Sequence, residues 1–255
     1  MPPTPEQGSQ AVRRALAVLH CFRDGGPSLG ASELARRLGL STSTAHRLAQ
    51  ALAASGFLEQ DPGDSRYRLG PSVAELGQLA FHQRGLHRAA PELDLLARTT
   101  GATVDLALRG GNEALILVGD SVRPGTGLGL RRPLHSTALG KVLLAWAPHA
   151  DLRELGPLPA LTPRTIVDPD ELRTELSRVR EDGYAVNDGE SEAGVRTLAV
   201  PVLDHCDHAR YALAVRATPE LITIRRLDWY LAQTAACARA LEILLLPPDE
   251  RRRSI

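Results

Sequence analysis

Three small residues at fixed intervals, Ala35, Gly39 and Ala45, constrain residues 31–70 (ASELARRLGLSTSTAHRLAQALAASGFLEQDPGDSRYRLG) more than any other feature of the chain. Where two short helices cross, the first needs a small side chain, the tight turn after it needs glycine, and the second needs a small residue on its buried side. Ser41 is placed to cap the second helix, and Ala45, Leu48, Ala49 and Leu52 share one of its faces. Thr42, Ser43, His46, Arg47 and Gln50 share the other, with Thr44 beside them and no Leu, Ile or Val among them. Phe57–Gln60 and Arg66–Leu69 flank Asp61-Pro62-Gly63-Asp64, which is hairpin chemistry. The pattern predicts a winged helix-turn-helix whose polar face suits the DNA major groove. Its expected DNA contacts are Ser41, Thr42, Ser43, Thr44, His46, Arg47 and Gln50. Arg66 and Arg68 either touch phosphate from the wing or only stabilise the hairpin, and Arg13 on the preceding helix stands similarly.

That motif uses under a third of 255 residues, a length that suggests about two domains. The formal net charge is zero, which argues against nonspecific coating of nucleic acid; residues 1–70 carry eight arginines against six acidic residues, a mild local surplus. Cys21, Cys206 and Cys237 are odd in number and far apart, so neither a disulfide framework nor a paired-cysteine zinc site is indicated. The N-terminus is polar and proline-rich, and no apolar run approaches about 20 residues. A cytoplasmic protein that does not engage the membrane is expected.

Residues 1–9 read as disordered, 10–70 as the winged domain with a first helix from Gln10 to Phe22, and 71–87 as a connecting helix. Val73, Leu76, Leu79 and Ala80 give that helix an apolar seam, for which a partner subunit is the simplest cover. Over 88–248 the chain mixes helices at Pro91–Thr99, Thr137–Trp146, Asp170–Glu181 and Leu227–Leu246 with two β pairs. The first joins Thr103–Leu108 to Ala114–Val118, the second Leu198–Leu203 to Tyr211–Arg216. The fold class is therefore α+β with a largely antiparallel sheet, and residues 249–255 read as a tail.

With those elements in view, residues 10–246 resemble the IclR family of bacterial transcriptional regulators. Beyond the winged motif, Pro133-Leu134-His135 through Gly140-Lys141-Val142-Leu143-Leu144-Ala145 is similar to the family's PLH…GKALLA segment, and Thr162-Pro163-Arg164-Thr165-Ile166 to its TxxTI element. Gly183-Tyr184 through Glu190, followed by Gly194 to Val202, is similar to its GY…D.E…G..C.AAPV segment. The resemblance implies a GAF-like C-terminal domain that binds a small effector, often an organic or aromatic acid. It also implies assembly as a homodimer or dimer of dimers on a partly palindromic double-stranded operator. Residue by residue, the implied effector positions are Arg132, Ala138, Leu139, Asn187, Val195, Thr197, Ala214 and Arg216. Here Thr197 stands for the family's cysteine, Asn187 for its aspartate, and Ala214 and Arg216 for two hydroxyl residues. Losing a carboxylate and gaining guanidinium groups predicts a more positive cavity and an anionic effector larger than a two- or three-carbon keto acid.

Other motifs yield blander readings. Asp204-His205-Cys206-Asp207-His208 offers metal-ligand types but also lies where the second hairpin needs a polar turn; no metal or other cofactor is expected. His135 either orients the pocket loop or is structural, and Lys141, the only lysine, bonds either the loop or a ligand. Gly125, Gly127 and Gly129 form a GxGxG stretch without the strand-turn-helix setting of a nucleotide site. Two alternatives to a ligand-responsive regulator remain. One is an enzyme fused to a DNA-binding module, with Asp188, Glu190, His135 and Lys141 as its reagents; the other is a constitutive dimeric DNA binder.

Overall fold

A computed structural model describes residues 5–23, 26–122, 131–148 and 152–252; the GxGxG stretch lies outside the described residues. The chain forms two compact units, Met1–Gln83 and Arg84–Ile255.

In the first unit, helix α1 (Pro5–His20) begins inside the segment read as disordered, because proline suits the first helical position, where its missing N–H costs nothing. Helices α2 (Ala31–Leu38) and α3 (Thr42–Ala54) cross at the small residues: Ala35, Ala45 and Ala49 are buried with Val18, Phe22, Leu29, Leu34, Leu58 and Tyr67. Gly39 ends α2 in the left-handed region at φ +62°, and the Leu40 N–H donates to the Ala35 carbonyl at 2.9 Å. Ser41 Oγ caps α3 by accepting the Thr44 N–H at 3.3 Å. The wing pairs β1 (Leu58–Gln60) with β2 (Tyr67–Leu69) antiparallel. Leu29 adds a bridge on the outer side of Tyr67, exchanging backbone bonds of 2.8 and 2.9 Å, a pairing not foreseen in the sequence.

Helix α4 (Pro71–Gln83) buries none of its residues; Leu76 and Leu79 are about half exposed. The expected connecting helix 71–87 is cut short: Gly85 at φ +68° breaks it, and α5 (Leu86–Thr100) starts immediately after. Pro91 therefore lies inside α5 instead of opening it. Burial of Leu86, Ala89, Leu93, Leu96 and Thr100 along one stripe offsets the hydrogen bond that proline cannot donate.

The second unit is built on one antiparallel sheet. Its strands are β3 (Thr103–Gly110), β4 (Glu113–Gly119), β5 (Arg131–Pro133), β6 (Ala185–Asp188), β7 (Arg196–Leu203) and β8 (Ala209–Ala217), in the order β5-β4-β3-β8-β7-β6. The short edge strands β5 and β6 escape a periodicity reading. On one face lie α6 (Ala138–Ala145) and α7 (Pro169–Asp182), packed over Ala107, Ala114, Ala185, Ala199, Ala212 and Ala214. These small side chains let α6, buried from Ala138 to Leu144, sit close to the strands. Alternation turns Val104, Leu106, Leu198, Val200, Leu213 and Val215 to the opposite face, along which α5 and α8 (Leu227–Leu245) run.

The tail expected from 249 is ordered through Arg252. The Glu250 carbonyl accepts the His205 N–H at 2.8 Å, Arg210 reaches Glu250 at 3.0 Å, and Arg252 pairs with Asp207. The opposite charges of the β7–β8 turn fix it.

Candidate functional site

On α3, Thr42, Ser43, Arg47 and Gln50 are exposed on one side, as is Arg13 on α1. Ser41 and Thr44 are joined through their hydroxyls at 2.8 Å in the cap. His46 is half-buried and its Nδ1 lies 3.0 Å from the Tyr67 hydroxyl, so the wing fixes the imidazole's orientation. The two wing arginines separate. Arg66 donates to Glu33 at 2.7 Å, to Ser28 Oγ at 2.9 Å and to the Ser28 carbonyl at 2.8 Å, so it ties the wing to α2. Glu33 in turn accepts the Gly30 N–H at 2.8 Å, and this bond, ahead of the Arg66 charge, holds its carboxyl below the ordinary value. Arg68 stays exposed and pairs across the strands with Glu59 at 2.8 Å.

In the second unit all eight residues implied as effector positions line one cavity of about 290 Å³: Arg132, Ala138, Leu139, Asn187, Val195, Thr197, Ala214 and Arg216. Sheet register explains the convergence. Arg216 opposes Thr197 on one side and Thr103 on the other, Ala214 opposes Ala199 and Asp105, and Thr197 opposes Asn187. Directly opposed residues point to the same face, so one patch of the α6 side of the sheet forms the floor. Ala138 and Leu139 come from the first turn of α6, which Thr137 caps by accepting the Gly140 N–H at 3.1 Å.

The cavity is less positive than the sequence suggests. Asp105 lines it too, only 5% exposed, as do Glu192 and Arg131. Asp105 Oδ2 accepts the Ser121 hydroxyl at 2.5 Å and Oδ1 the Ser121 N–H at 2.9 Å. Burial pushes its carboxyl up; the Ser121 bonds and the charges of Arg216 and Arg132 pull back. Arg132 is lowered by burial first and by the facing Arg216 second. Glu192, mostly exposed, lies 3.9 Å from Arg216. Asp105 was missed because it belongs to a distant strand that only β3–β8 pairing brings to Arg216. An acid inside the apolar strand run Thr103–Leu108 was the available signal.

Asn187 contributes wall more than reach. Its amide donates to the Ser136 carbonyl at 2.9 Å and to Ser191 Oγ at 2.6 Å, and its Oδ1 accepts the Glu190 N–H at 2.8 Å. Thr162 and Thr165 hydroxyls donate to the carbonyls of Gly189 and Glu190 at 2.7 and 2.6 Å, so the TxxTI element braces the same loop. His135 donates to the Pro159 carbonyl at 3.0 Å, the structural role. Lys141 is 1% exposed and bonds Glu190 at 2.6 Å and Glu175 at 2.9 Å. Asp188 pairs with Arg196 at 3.0 Å. None of the four reagents named for the enzyme alternative lines the cavity. At the β7–β8 turn, ligand atoms of Asp204, Cys206 and His208 lie within 4.8 Å of one another. Asp204 Oδ1 already accepts the Cys206 and His208 N–H groups at 2.9 and 3.0 Å, which shapes the turn.

Two family models match: the IclR helix-turn-helix domain over residues 11–62 and the bacterial transcriptional regulator IclR C-terminal domain over residues 80–243. The chain belongs to the IclR family. This IclR protein is 34% identical over 214 residues to the HTH-type transcriptional regulator XynR of Escherichia coli K12, covering 81% of this chain and 85% of that one. Its fold matches the crystal structure of a putative IclR transcriptional regulator from Silicibacter sp. TM1040 with a TM-score of 0.83 at 30% identity, over 94% and 99% of the two chains. It also matches an IclR homologue complexed with 4-hydroxybenzoate, from Microbacterium hydrocarbonoxydans, with a TM-score of 0.75 at 28% identity, over 92% and 98% of the two chains. The chain is thus a DNA-binding transcriptional regulator of the IclR type. Among the described residues no helix is long and apolar enough to cross a membrane.

Proposed function

We propose that this IclR regulator senses a small organic anion in the Arg132–Arg216 cavity and changes its operator affinity in response. One observation carries the reading: three guanidinium groups, Arg131, Arg132 and Arg216, line one cavity against two carboxylates, Asp105 and Glu192, and an anion there adds a partner for the facing Arg132 and Arg216. The cavity volume lies near the lower end of the ~300–1,000 Å³ typical of small-molecule sites. A relative of the same fold was crystallised with a hydroxylated aromatic acid, which supports the class. A coupling of ~1–3 kcal/mol between cavity and operator changes DNA affinity about 5- to 150-fold, so no large rearrangement is required. Thermal-shift and calorimetric screening with small carboxylic acids tests the proposal. Arg216→Ala is expected to weaken binding of any acid found at least about tenfold, because a charge-assisted bond is removed. Undiminished binding in that variant, or a screen that returns only neutral or cationic ligands, counts against the anion. Recovery of the bound acid unchanged after incubation supports a sensor over the enzyme alternative.

In this reading Ser41, Thr42, Ser43, Thr44, His46, Arg47 and Gln50 meet the operator, with Arg13, Arg66 and Arg68 reaching phosphate. The protein acts as a homodimer or dimer of dimers on a partly palindromic site. The exposed Leu76 and Leu79 of α4 support a subunit contact, which sedimentation velocity checks. Operator affinity should fall steeply with salt. If Arg47 neutralises one phosphate, Arg47→Ala reduces the slope of log affinity against log salt by about 1; if it reads a base, the loss is about 1–3 kcal/mol on the cognate operator alone. No change in either quantity removes Arg47 from the interface.

A further inference from the structure

The proposed function leaves the buried carboxylate in the cavity wall without a task. Asp105 is as much part of that wall as the two arginines, yet a bare carboxylic acid with an apolar body gives it nothing to bind. We infer that Asp105 makes the cavity selective for organic acids that carry a hydroxyl group: the acid meets Arg132 and Arg216, and the hydroxyl donates to Asp105. The inference rests on the anion reading and adds a second chemical requirement to it.

Three features support it. First, the two Ser121 bonds occupy one acceptor position on each Asp105 oxygen, and a carboxylate offers about four, so capacity for a further donor remains. Second, the same two bonds fix the carboxylate's orientation, so a ligand hydroxyl meets a pre-set acceptor and little entropy is lost on pairing. Third, Asp105 opposes Ala214, whose methyl group leaves room beside the carboxylate, while Arg216 stands two residues further along the same strand and on the same face. A ligand spanning those positions presents an anionic group to one and a donor to the other. An unhydroxylated acid covers Asp105 with carbon and strips it of water without replacing that bond. Sites built to hydrogen-bond a hydroxyl reject the analogue lacking it far more strongly than a methylene pocket rejects a shorter chain.

The experiment uses the full-length protein and pairs of acids that differ by one hydroxyl: benzoate against 2-, 3- and 4-hydroxybenzoate, and butyrate against 3-hydroxybutyrate. Affinities are measured by titration calorimetry. At least one hydroxylated acid is expected to bind about tenfold or more tighter than its parent, as a bond to a charged group implies. In Asp105→Asn that preference should shrink to about threefold or less. Equal binding within every pair in the wild-type protein overturns the inference and leaves the anion reading standing, and this arm needs no variant to fold. Retention of the full preference in Asp105→Asn also overturns it. If no acid of the panel binds, the hydroxyl inference falls for these classes, and the broader carboxylic-acid screen decides the anion reading.

Discussion

Lys141→Met is expected to destabilise the C-terminal unit by about 3–5 kcal/mol, the cost of removing one partner from a buried ion pair. Lys141 sits in α6, a helix buried on every side, and its ammonium is the shared partner of Glu175 and Glu190. Methionine fills the space but leaves two carboxylates facing each other without it. For Glu175 burial works upward, yet the hydrogen bonds from Lys141 and Arg178 outweigh it and hold the carboxyl below its ordinary value; for Glu190 burial prevails and the carboxyl is raised. The two therefore act oppositely on stability. Glu175 contributes stability above its ordinary value of 4.5 that is lost as pH falls through its folded value. Glu190, whose folded value is the higher, costs stability as pH rises from 4.5 through it. Glu190→Gln keeps an oxygen for Lys141 and removes that loss. It should stay within about 1 kcal/mol of wild type at neutral pH and flatten the rise of stability towards pH 5. Urea unfolding followed by tryptophan fluorescence isolates this unit, because both tryptophans, Trp146 and Trp229, belong to it. A Lys141→Met midpoint equal to wild type would show that the triad contributes nothing.

Gly70→Ala is expected to cost the winged unit about 1–3 kcal/mol or more, the range for forcing atoms into a filled site. A Cβ at Gly70 would stand 2.3 Å from the Gly56 carbonyl oxygen and 2.9 Å from the carbonyl of Leu58. All three atoms are backbone, so no rotamer change relieves the contact. The Gly56 carbonyl also accepts the Ser72 N–H at 3.1 Å, and the Gly70 N–H donates to Phe57 at 2.8 Å; both bonds close the base of the wing. The substitution should raise hydrogen exchange over residues 58–69 and weaken operator binding, while tryptophan-reported unfolding of the other unit stays put. Unchanged protection in the wing would mean that its base can shift at little cost.

The elements legible in the sequence are those whose determinants are local. Ser41 and Thr137 cap their helices through hydroxyls a few residues from the N–H groups they accept, and Gly39 and Gly183 stop theirs by adopting a positive φ that other residues resist. The apolar runs of β7 and β8 reflect burial on both faces of the sheet. The eight cavity positions were legible only through family resemblance, since no periodicity connects Arg132 to Arg216. Asp105 shows the limit: its sequence neighbours announce a buried strand, and nothing in them says which side chains lie across the cavity.

What the sequence by itself determined is the winged helix-turn-helix with its polar face, the α+β character of the second half, and the family. Each follows from spacing, capping and short motifs that act within a few residues. Tertiary structure decided that Arg66 braces the wing, that Asn187 spends its amide on its own loop, that Lys141 neutralises a buried acid pair, and that Asp105 shares a cavity with two arginines. Arg66, Lys141 and Asp105 meet partners many residues away, as Asn187 does at Ser136, and only chain folding and strand register bring these charges and donors together.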